Sequence, residues 1–168
     1  MEIIKILQSK NIEPLKNSQG IYSLEFTQEQ LDMITELSLN AFTGGLDGIE
    51  YFTNLASLKI ETYYKDKKEY IKFKNRASIT DKDLIKISKL SNLKQLSIIG
   101  QTNIGYIDLS NLSNLTSLEI KGNSNLTEID GLEKLEKIED ITIFDNNELY
   151  EIPSLNTLTN NNDLYEAN

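Results

Sequence analysis

A repeat constrains this chain more than any other feature. The triplet Leu93, Leu96, Ile98 returns as Leu115, Leu118, Ile120 and again as Ile138, Ile141, Ile143, in steps of 22 and 23 residues. Self-similarity at a fixed period of this length specifies a solenoid and outranks any local propensity. Within a unit, Leu118 and Ile120 alternate with Ser117, Glu119 and Lys121. That period of two describes a strand buried on one side. Beyond the strand, Leu126, Ile129, Leu132 and Leu135 recur every three positions. This rhythm suits a 3₁₀-like back wall better than a regular α-helix. One unit cannot bury its own apolar edge. Stacked units can, with strands aligned in a parallel sheet and a Leu/Ile ladder filling the interior.

The pattern resembles the leucine-rich repeat family and, within it, the bacterial internalin-type repeats. The most specific local likeness is Leu46-Asp47-Gly48-Ile49-Glu50-Tyr51-Phe52-Thr53-Asn54-Leu55, which resembles the first full repeat of internalin-type surface proteins. The family carries an Asn after the strand, and Asn123 and Asn146 stand at that position, five residues past Leu118 and Ile141. The resemblance implies that these side chains hydrogen-bond backbone amides of neighbouring turns as a ladder. The chemistry agrees, because a buried turn must satisfy its N–H groups and a carboxamide can donate and accept together. Phe42, Tyr63, Arg76 and Gln101 depart from the pattern, so the ladder is expected only towards the C-terminus.

The expected fold class is α/β. It is a leucine-rich repeat solenoid with a parallel sheet on the concave face, short helices and 3₁₀ turns on the convex face, and an N-terminal helical cap. Residues 1–26 are assigned to the cap, 27–153 to the repeats (irregular around 61–80), and 154–168 to a C-terminal end and disordered tail. Ile3, Ile4 and Leu7 at helical spacing begin the cap, and Ile12, Leu15 and Ile21 are candidates to join it. Thr27 with Gln30 reads as a capping box, and Thr80 with Asp83 repeats its logic ahead of Leu84, Ile87 and Leu90. Strands are expected at 36–40, 57–61, 95–99, 117–121 and 140–144. The register breaks after Leu58, since Ile71 follows only 13 residues later. Residues 58–74 read either as a projecting hairpin or with Tyr70–Lys74 as a solenoid strand.

Composition narrows the function. The chain has no Cys and no His, which removes disulfides, thiolate sites, the usual general base and the commonest metal ligand. No catalytic residue, metal or cofactor is expected. Asp145-Asn146-Asn147-Glu148 lacks the Gly and spacing of a calcium loop and reads as a repeat turn. No apolar run approaches the roughly 18 residues of a membrane span. Met1-Glu2-Ile3-Ile4 has no basic start of a signal peptide. The expected location is the cell surface or secreted if a signal was removed, and otherwise the cytoplasm. Net charge is −9, with 11 Lys/Arg against 5 Asp/Glu in 59–94 and 3 against 12 in 119–168. A sequence pI near 4.6 without a basic-aromatic motif argues against nucleic acid.

Polar strand positions of a parallel solenoid share one open face and line up in columns. The candidate binding residues are Tyr70, Lys72, Lys74, Ser97, Ile99, Glu119, Lys121, Thr142 and Phe144, with Ile99 and Phe144 as exposed anchors among positive charge. The resemblance implies a non-catalytic module, monomeric, that takes a protein or peptide on this face. A structural spacer of a larger surface protein and a cytoplasmic adaptor are the alternatives.

Overall fold

The computed structural model describes residues 7, 11–12, 26–40, 46–62 and 79–150. Five strands form one parallel sheet in the order β1 (Glu36–Asn40), β2 (Ser57–Glu61), β3 (Gln95–Ile99), β5 (Ser117–Lys121) and β7 (Asp140–Phe144). Every neighbouring pair keeps one register: Leu37, Leu58, Leu96, Leu118 and Ile141 stand side by side, as do Leu39, Ile60, Ile98, Ile120 and Ile143. Both rows are buried. The parallel register, the stacked apolar rows and the repeat spacing make this an α/β leucine-rich repeat solenoid.

The coils join the same way each time. Thr35 O accepts the N–H groups of Ala56 and Ser57, Ala56 O those of Lys94 and Gln95, Lys94 O those of Thr116 and Ser117, and Thr116 O those of Glu139 and Asp140. This regularity holds across the irregular stretch. Leu58 and Leu96 lie 38 positions apart yet pair in the common register. β2 therefore belongs to the main sheet and meets β3 directly, which leaves no strand position between them. Tyr70, Lys72 and Lys74, expected as columns there, lie outside the described residues, as does the rest of the 63–78 stretch.

The back wall differs from the sequence expectation in one respect. It holds 3₁₀ turns at Ile49–Tyr51 and Leu132–Lys134, and also a second parallel pair, β4 (Tyr106–Asp108) with β6 (Glu128–Asp130). Gly131 follows β6 at φ 81°, and a Cβ there would come within 2.3 Å of the Ser110 backbone nitrogen. Only a residue without a side chain lets the two coils approach so closely.

Helix α1 (Gln28–Asp32) begins with the capping box, Thr27 Oγ1 accepting from Gln30 N and Gln30 Oε1 from Thr27 N. Helix α2 (Asp81–Ile87) buries Leu84 and Ile87, with Leu90 beyond it. α2 packs between the Ile49–Tyr51 turn and β4. It stands where a further back-wall strand would go, and two carboxylates of its first turn serve the backbone on either side. Asp83 Oδ1 accepts the N–H of Leu46 at 2.8 Å, and Asp81 Oδ1 that of Gly105 at 2.8 Å. At the N-terminal end, Leu7 and Ile12 are buried in the common core.

The Asn ladder is present. Asn146 Oδ1 accepts from Asn123 N at 3.0 Å, and its amide donates to Ile120 O. One coil earlier, Asn123 Oδ1 accepts from Gln101 N at 2.9 Å, and its amide donates to Ile98 O. Gln101 then ends the regular series. Its longer side chain donates back to Ile99 O and to Thr62 Oγ1, and its buried Oε1 has no partner among the described residues. Before each of these residues the chain turns left-handed, at Gly100 (φ 69°), Gly122 (φ 65°) and Asp145 (φ 56°). We expect Asn123→Ala to cost about 1–3 kcal/mol, because the buried Gln101 N–H loses its acceptor. A urea melt unchanged from wild type would show that the ladder does not hold the turn.

Candidate binding face

Along each strand the residues between the buried rows look out of the sheet. The pairing sets them in columns: Glu36, Ser57, Gln95, Ser117, Asp140; then Ser38, Lys59, Ser97, Glu119, Thr142; then Glu61, Ile99, Lys121, Phe144. The structure brings Ser97, Ile99, Glu119, Lys121, Thr142 and Phe144 together on β3, β5 and β7. Thr142 and Lys121 are exposed, and Ser97, Ile99, Glu119 and Phe144 are half-buried. Ile99 and Phe144 are thus less open than the sequence suggested. Lys121 Nζ lies 5.3 Å from the centre of the Phe144 ring, a cation–π arrangement.

The polar groups of the face form two pairs. Ser97 Oγ donates to Glu119 Oε2 in a short contact. Lys59 pairs with Glu61 at 2.8 Å. The hydrogen bond that Lys59 donates to Glu61 holds the ammonium above its ordinary pKa, and the Glu119 charge adds to it. Lys59 and Glu61 were not among the sequence-selected site residues. Both occupy outward column positions of β2.

This shifts the electrostatics. The described face positions carry Lys59 and Lys121 against Glu36, Glu61, Glu119 and Asp140. The described part of the face leans negative. Among the described residues, no group of His, Cys, Asp or Glu is arranged to hold a metal ion. On the opposite side, Tyr106 Oη donates to Asp130 at 2.9 Å. That bond to a carboxylate pushes the phenol up to about 12.

No family profile and no curated protein matches the chain. Among solved structures it is similar to an internalin from Listeria monocytogenes, with 24% identity over 88% of this chain and a TM-score of 0.46. The chain spans 46% of that protein's length. No described helix is long and apolar enough to cross a membrane.

Proposed function

We propose that the protein is a non-catalytic binding module that takes a protein or peptide on the open face of its five-stranded sheet. One observation carries this reading. An unbroken register over five strands merges the outward side chains into a single surface, with Ile99 and Phe144 flanking Lys121 in one column. A specific interface needs about 800 Å² per partner, which adjacent strands supply and a single loop does not. The resemblance carried by Leu46–Leu55 supports a bacterial surface or secreted setting, tested by fractionating cells that express the gene.

Half-buried apolar groups ringed by polar ones are the positions where truncation costs most binding. Ile99→Ala and Phe144→Ala are each expected to weaken the complex by more than about 1 kcal/mol. The measurement is a surface-binding screen against extracellular proteins and peptides with wild type, followed by the double variant. Circular dichroism checks that the variant keeps its fold. A folded double variant that binds as tightly as wild type overturns the assignment to this face.

A further inference from the structure

The charges on the face are not equally available. Lys59 is paired with Glu61, and Lys121 lies over the Phe144 ring. The carboxylates of Glu36 and Asp140, at the two ends of one column, are exposed and have no partner among the described residues. Glu119 is bonded to a hydroxyl, which leaves its charge in place. Both described cations of the face are therefore engaged, while three of its four described anions have no ion-pair partner among the described residues. The apolar sites lie on the same strands: Phe144 follows Asp140 along β7, and Ile99 stands one column from Glu119 on the neighbouring strand.

Charge complementarity then selects a partner. We infer that the face takes a polypeptide segment that presents Lys or Arg beside an apolar side chain. This rests on the reading of the open face as the binding site. The apolar side chain seats against Ile99 and Phe144, and the cations meet Asp140 and Glu119. An acidic segment would place like charges together across the same surface, which costs binding and slows encounter. A net charge of −9 on the whole chain favours approach of the same basic segment at long range.

The test is panning of a random-peptide phage library on the immobilised full chain. Selected peptides are then measured by fluorescence polarisation on wild type, on Ile99→Ala/Phe144→Ala and on Glu119→Gln/Asp140→Asn. The expected result is peptides enriched in Lys and Arg next to an apolar residue. They weaken as salt rises and lose about tenfold or more on removal of the two carboxylates. Peptides that need Ile99 and Phe144 but are neutral or acidic, or ignore Glu119→Gln/Asp140→Asn, overturn this inference and leave the face as the site. Peptides indifferent to Ile99→Ala/Phe144→Ala, or no enrichment at all, overturn both. Circular dichroism of each variant separates lost contact from lost fold.

Discussion

Leu118→Ala will lower the stability of the chain by about 2–5 kcal/mol. Leu118 is 1% exposed and stands in the shared register between Leu96 and Ile141. Removing its branched end takes apolar surface out of the core and leaves a cavity. The cavity cannot close cheaply, because hydrogen-bonded strands on both sides fix the separation of the coils. Thr142, one strand over, faces outward and is exposed, so Thr142→Ala should stay within about 0.5 kcal/mol. Urea melts of the two variants decide the matter. Equal losses would mean that the alternation of inward and outward residues is out of register by one.

That alternation was fully legible in the chain. All five main-sheet strands fall at the expected residues: the 22–23-residue step places β3, β5 and β7, and β1 and β2 are each marked by their own apolar pair. The ladder was legible for Asn123 and Asn146 for the same reason, since one residue type does one job in each coil. The second parallel pair, β4 with β6, was not. Ile107 and Ile129 contribute one inward residue per strand, too few to show a period of two against the three-residue rhythm around them. The candidate site was legible as columns on β3, β5 and β7, whereas Tyr70, Lys72 and Lys74 lie outside the described residues. Sequence order placed Tyr70, Lys72 and Lys74 between β2 and β3, whereas long-range pairing joins those strands directly. No local pattern carries that information. The tertiary work of Asp83 was equally hidden. In the sequence it is the fourth residue of a capping signal, and nothing there indicates a contact 37 positions away.

Asp83→Ala is therefore expected to cost far more than an ordinary helix cap, about 2–4 kcal/mol when the lost cap and the unpaired amide are combined. Asp83 is 4% exposed. It accepts from Leu46 N at 2.8 Å, from Thr80 N and Thr80 Oγ1 at 3.0 Å, and from Lys86 Nζ at 3.2 Å. All four partners are donors. Asp83→Asn must therefore turn its NH₂ towards at least one of them, and it should recover little of the loss. The Leu46 amide is the contact that matters most, because it ties the Ile49–Tyr51 coil to α2 over 37 positions of sequence. Burial alone would push the Asp83 carboxyl up. The backbone amides of Leu46 and Thr80, the Thr80 hydroxyl and Lys86 outweigh it and hold the carboxyl below the ordinary aspartate value. A group lowered in the folded state lends stability above its unfolded pKa, about 3.9. That stability is lost as pH falls from there through the lower folded value. Wild type should accordingly lose urea resistance in this acid range, and Asp83→Asn, with no proton to take up at this position, should lose less over the same interval. Parallel acid curves for the two proteins, or an Asp83→Ala variant within about 0.5 kcal/mol of wild type at neutral pH, would show that the coils stack across the irregular stretch without this carboxylate.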